Sequence, residues 1–283
     1  MRAAYQRTCS SGQPMLPCVT SEERIIEGAR TSSPSAIQSH RLEAQVKRSK
    51  HRRQQRAGSA QHKAPSLRTR RARERGTVVK DWGGRLPIAL VYPNTYHIGM
   101  SSLGFQTLYR LLNARPDVVC ERVLWEPGLP LVSYESERPL GDFAALAISI
   151  SYEMDYPHLV DLLRSADIPL WATERDETWP LVLAGGPAVS ANPLPVADLL
   201  DGVAIGDGEP LLDALVETLW EIVDRPREEA WQALARIPGL YLPALPSNPV
   251  AKQWLADLDA CPTASVIHTP DTEFGGMHLI EIS

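Results

Sequence analysis

The chain has 283 residues and a formal charge of −5, a length that suits one large domain or two small ones. The charge is divided: residues 1–85 hold 19 Lys+Arg against 6 Asp+Glu, a net of +13, and the remaining 198 a net of −18. The four cysteines, Cys9, Cys18, Cys120 and Cys261, form no CxxC or CxxxCxxC group, which excludes a Cys-based metal site and argues against a disulfide-built scaffold. No run of 18 apolar residues can span a membrane and no apolar h-region follows the first charges, so cytoplasm is the expected compartment.

Residues 1–75 are rich in Arg, Ser, Gln and Ala and show no sustained period, so a disordered basic tail is expected. Clustered arginines can hold nucleic acid through phosphate, but no aromatic residues are interleaved for base stacking, and a solvated tail is the plainer reading. From Thr77 onward the pattern turns globular. Leu86–Val91, Val118–Leu124, Ala144–Ile150, Leu181–Ala184 and Val203–Ile205 read as strands. Ser101 or Ser102 can cap a helix with Leu103, Leu108, Leu111 and Leu112 at helical spacing. Asp155 and Pro157 open a second helix, with Leu159, Val160, Leu162 and Leu163 on its buried side. Pro195–Leu200 has room for one or two helical turns, and Pro210 opens a long helix bearing Leu211, Leu215, Leu219 and Ile222 or Val223. Alternation of this kind predicts an α/β fold, a doubly wound (Rossmann or flavodoxin-like) five-stranded parallel sheet. After Asp224 come a short helix (Glu228–Arg236), a short strand or hairpin arm in IPGLYLP, a Pro-rich stretch and HLIEI, which reads as the first strand of another domain.

In such a sheet the ligand sits outside the C-terminal ends of the strands. Asn94, Thr95, His97 and Gly99 follow the first strand; Ser149, Ser151 and Tyr152 the third; Gly185 and Gly186 the fourth; Gly206, Gly208 and Glu209 the fifth. Hydroxyls and glycine amides there suit a nucleotide-like ligand and do not suit general acid/base work, so no catalytic or metal-ligating residue is assigned. His97 is open to a metal or a titrating role, but a lone loop histidine reads more simply as a hydrogen-bonded structural residue. Glu209 either caps the next helix or accepts from a ligand hydroxyl. Gly206-Asp207-Gly208 lacks the third glycine of a dinucleotide fingerprint, and no P-loop is present.

KDWGGRLPIALVYPNTYHIGMSSLGFQTLYRLLN (80–113) and AGGPAVSANPLPVADLLDGVAIGDGEPLL (184–212), with IPGLYLP and FGGMHLIEIS, resemble the N-terminal region of radical S-adenosylmethionine (radical SAM) proteins that carry a cobalamin-binding-like domain. The resemblance implies a cobalamin-binding-like domain over 76–225. It also implies a linker and the first strand of a partial TIM barrel over 226–283, with a [4Fe-4S] cluster and S-adenosylmethionine held by the rest of that barrel. Two departures stand out. HLIEIS should lead into a CxxxCxxC loop, which these 283 residues do not contain, and the cobalt-ligating DxHxxG is absent because Thr95 stands two residues before His97. The chain is therefore expected to be a fragment that lacks the cluster cysteines, with the missing barrel as partner and an unknown small molecule as substrate. The alternative is a non-catalytic Rossmann-like ligand- or partner-binding module with a basic tail.

Overall fold

The computed structural model describes residues 65–245, 250–259 and 261–281. Most of the expected tail, residues 1–64, lies outside the described residues, but its last stretch does not follow the expectation of disorder. Pro65–Ala72 is a helix, α1, with Leu67 in the core. Its arginines donate to the acidic body: Arg68 to Glu137 at 2.6 Å, Arg70 to both oxygens of Glu126, and Arg71 to the carbonyls of Tyr134 and Glu135. Arginine-rich composition suggests a solvated tail only while its partners in sequence-distant loops are unseen.

Six strands form one sheet: β1 (Leu86–Tyr92), β2 (Val118–Leu124), β3 (Ala145–Ser149), β4 (Leu181–Gly185), β5 (Gly202–Ala204) and β6 (Leu240–Tyr241). Their order is β2-β1-β3-β4-β5-β6. The first five are parallel, and β6 is antiparallel to β5, so the sheet has one strand more than the five expected. The extra strand comes from IPGLYLP, where Gly239 takes a positive φ of 86° and lets the chain turn back along β5.

Both faces are covered, as short continuous apolar strands require. Helices α3 (Leu103–Ala114), α6 (Leu212–Ile222) and α7 (Arg227–Leu234) pack with α1 on the face of Ile88, Leu90, Cys120 and Leu183. The other face, with Val91, Leu146, Ile148 and Val182, is covered by α4 (Tyr156–Ser165) and α5 (Pro187–Ala191). A four-residue helix, α2 (Tyr96–Gly99), follows β1. Ser102 caps α3 by accepting from the Phe105 amide, as expected. Its buried side is Phe105, Gln106, Tyr109, Leu112 and Asn113, so of the four expected leucines only Leu112 is fully buried. Between β2 and β3 the alternation of strand and helix breaks: three prolines between 125 and 144 leave a loop with a single 3-10 turn, Leu140–Asp142.

Residues 250–259 and 261–281 form no named strand and make three isolated bridges. Gln253 bridges Gly206, His268 bridges Arg75, and Ile280 bridges Ala264. HLIEI is therefore no strand over 278–281; Ile282 and Ser283 lie outside the described residues. No helix among the described residues is long and apolar enough to cross a membrane.

Gly186 has φ +111°, and a Cβ there would stand 2.6 Å from the Ile150 carbonyl oxygen. Gly186→Val is expected to destabilise the fold by about 1–3 kcal/mol, readable by chemical denaturation. An unchanged unfolding midpoint would refute the close approach.

Candidate functional site at the C-terminal edge of the sheet

The strand order reverses between β1 and β3, the point at which an open α/β sheet places a ligand crevice at its C-terminal ends. Asn94 follows β1 and Ser151 follows β3 at that edge. The Asn94 amide donates to Asp155 Oδ1 at 2.7 Å and its carbonyl oxygen accepts from the Thr95 amide. Ser151 is hydrogen-bonded to the Tyr92 phenol, whose pKa burial pushes up. Three further residues join that were not singled out as a site. Asp155 is almost fully buried, and its Oδ2 has no hydrogen-bond partner. His158 Nδ1 lies 2.9 Å from the Pro93 carbonyl oxygen and 3.5 Å from Asp155 Oδ1, and its ring stacks on Trp125 at 4.5 Å. Asp155 and Pro157 read in sequence as helix-opening residues, which masks the polar cluster.

The expected glycines are not brought to that cluster. Ser149 pairs with Gly185 in the sheet, and Gly186 faces the Ile150 backbone. A Cβ on Gly206 would run into the Gln253 carbonyl oxygen, and the Asp207 carboxylate accepts from the Leu255 amide at 2.7 Å. Gly208 abuts Leu108, and Gly99 leaves room for Leu124 and Tyr92. Each close approach expected of a ligand is thus made by the protein's own chain. Glu209, half-buried, opens the 3-10 turn before α6. Tyr152 is exposed, beside exposed Met154.

Thr95 and His97 belong to a second feature, a cavity of about 480 Å³. Arg70 and Arg73 line one side, Thr95, Tyr96 and His97 the floor, Glu126 the loop after β2, and Pro270 to Thr272 the roof. Glu126 also accepts from the Tyr96 amide at 2.9 Å. Its hydrogen bonds to Arg70 raise the guanidinium pKa, against burial. Arg73 pairs with Asp271 at 2.9 Å, and His97 Nε2 lies 3.1 Å from the Glu273 carboxylate. The sequence offered no signal for this cavity beyond Thr95 and His97, because its other walls come from segments far apart in the chain.

Residues 104–243 match the family model described as radical SAM proteins, N-terminal. Over 122 residues the chain is 24% identical to the uncharacterized protein MJ0966 of Methanocaldococcus jannaschii, a match covering 43% of this chain. The matched stretch spans about a quarter (24%) of that relative's length. No solved structure gives a significant match.

Proposed function

We propose that this chain supplies the N-terminal module of a radical SAM protein, with the cluster chemistry carried by a separate barrel and the module serving to bind and present a small molecule. The observation that carries this reading is the family match, which runs from the first turn of α3 to just past β6 and so takes in five of the six strands. The C-terminal sheet edge, with its polar crevice and adjoining cavity, is where a doubly wound sheet places its ligand.

The family's cofactors do not fit the residues described. A [4Fe-4S] cluster needs thiolates in one place. Cys120 is buried, with its thiol pKa pushed well up by desolvation, and no three His, Cys, Asp or Glu among the described residues are gathered to hold a metal. Cobalamin lacks its DxHxxG histidine, and both ring nitrogens of His97 are engaged by the 271–273 segment. The chain's own backbone fills the cradles at Gly186 and Gly206.

Anaerobic reconstitution of the 283-residue chain with iron and sulfide is expected to leave no stable [4Fe-4S] absorption after desalting. Titration with hydroxocobalamin should leave the cobalamin spectrum unshifted. A cluster assembled by this chain alone, with cleavage of S-adenosylmethionine, would sink the reading of a module without cluster chemistry.

A further inference from the structure

The cavity roofed by residues 270–272 has walls from outside the stretch that matches the family model: apart from Glu126, its lining lies before residue 104 or after residue 243. At about 480 Å³ it falls within the range of small-molecule sites. Three side chains with N–H donors, Arg70, Arg73 and His97, converge on it from two different segments. Arg70 is fixed, forked onto Glu126 and lying over the Tyr96 ring at 5.2 Å. Arg73 and His97 are different, because their partners lie on one surface turn: the Asp271 carboxylate for Arg73, and the Glu273 carboxylate with the Asp271 carbonyl for His97.

The backbone of that turn is held by Ser101 Oγ at the Glu273 amide and by His97 at the Asp271 carbonyl, but its side-chain pairs are open to water. The Arg73–Asp271 pair has side-chain exposures of 52% and 25%, and the His97–Glu273 pair 54% and 65%. Ion pairs so open to water add little stability. Asp271 is also poorly served, since its Oδ2 is buried with no hydrogen-bond partner. The turn therefore lays two carboxylates over the exchangeable donors of a small-molecule-sized cavity, and the closed arrangement leaves one carboxylate oxygen unsatisfied.

We propose that this cavity is a binding site for a small phosphate monoester, and that Asp271 and Glu273 occupy the anion position until the ligand displaces them. A dianionic phosphate replaces the two carboxylates charge for charge. The Arg73 fork and the His97 ring donate to its oxygens, since planar guanidinium N–H groups match phosphate geometry. The organic part of the ester lies in the remaining volume, between Thr95 and Pro270. The site does not depend on the radical SAM reading, and its test does not involve a cluster.

The test is calorimetric titration of the full chain with inorganic phosphate and with phenyl phosphate, at low ionic strength in a phosphate-free buffer. Asp271→Asn with Glu273→Gln is expected to tighten phenyl phosphate binding at least about tenfold over the unaltered chain. Adding Arg73→Gln and His97→Gln to that background should abolish binding at the site, and phenyl phosphate should bind more tightly than inorganic phosphate. Arg73, His97 and Glu273 are more than half exposed and Asp271 a quarter, so thermal melting should show each variant folded. No binding to the Asp271→Asn/Glu273→Gln chain would overturn the proposal. So would binding unmoved by loss of Arg73 and His97, which would assign the anion to another basic surface such as residues 1–64. Equal affinity for the two probes would overturn the assignment of an ester.

Discussion

Glu74→Ala is expected to destabilise the domain by about 3–5 kcal/mol, a fall in melting temperature of roughly 6–20 °C. Glu74 follows α1, in the stretch that composition assigns to a dispensable tail. Its carboxylate has no exposed surface and pairs with Arg122 of β2 at 2.7 Å, while the Tyr96 phenol and the Thr77 hydroxyl donate to it. Arg122, itself fully buried, is also held by Glu135 at 2.7 Å. Removing Glu74 leaves the guanidinium with one carboxylate and two of its own N–H groups without their acceptor, the costly case for a buried charge. A chain beginning at Thr77 should lose at least as much, because Leu67 and the contacts of Arg68, Arg70 and Arg71 go with it. Equal melting temperatures for that chain and the full one would restore the tail as dispensable.

The same pair gives a pH dependence. Burial alone would raise the Glu74 carboxyl, but Arg122 outweighs it and holds the group below its ordinary value of 4.5. A carboxyl depressed in the folded state contributes stability above its unfolded pKa and loses it as pH falls through the folded one. The difference between the unaltered chain and Glu74→Gln should therefore be full near neutrality and shrink below about pH 4.5. Glu135 shifts the other way, because burial dominates there, but it is present in both chains. A difference that stays constant from pH 7 to pH 3 would count against the Glu74–Arg122 pair as its source.

How far the sequence led follows from where apolar pattern and structure coincide. The five parallel strands are legible because each is an apolar run ended by Gly, Pro or a polar turn, and a buried parallel strand has few other ways to be written. α3 was found from its cap and its leucine spacing, but most of its buried side is not leucine. Tyr109 turns inward to Glu135, and Gln106 turns inward to accept from the Val266 and Ile267 amides, so polar side chains occupy positions that a hydrophobic period assigns to leucine. β6 was expected as a short strand, but its place in the sheet depends on pairing with β5, which no local pattern announces. Glycine at these strand ends was expected to permit a positive φ or a close approach, and Gly186 and Gly206 show both. Gly186 meets Ile150 and Gly206 meets Gln253, and only the folded chain shows that the partner is backbone rather than ligand. Asn94, Ser151, Thr95 and His97 were placed at the right edge of the sheet. Arg70, Arg73 and Asp271 were not, because the segments that carry them lie at opposite ends of the folded body and look like tail and linker when taken alone.

Asp201→Ala should have an effect of similar size, about 3–5 kcal/mol, at the opposite edge of the sheet from the candidate site. Asp201 is fully buried just before β5. Its Oδ2 accepts from the Val182 amide at 2.8 Å and from Arg175 at 3.1 Å, and its Oδ1 accepts from the Trp231 indole at 3.0 Å. Arg227 lies 3.7 Å from the same carboxylate. One carboxylate thus joins β4, β5, α7 and the loop before β4, and it compensates two guanidinium groups out of contact with water. Burial, with Arg227 nearby, holds the Arg175 pKa below its ordinary value even with Asp201 in place. Arg175 Nε has no hydrogen-bond partner either. Alanine removes the carboxylate that pairs with both guanidinium groups, and leaves Val182 N–H and the Trp231 indole without an acceptor as well. Asp201→Asn keeps one acceptor oxygen and loses the charge, so it should fall between alanine and the unaltered chain. Denaturant unfolding of the three proteins measures this order, and a loss below about 1 kcal/mol for Asp201→Ala would show that water or repacking meets the freed donors. Because the cluster lies away from Arg73 and His97, the folded Asp201→Asn chain should bind phenyl phosphate as the unaltered chain does, which separates loss of fold from loss of site.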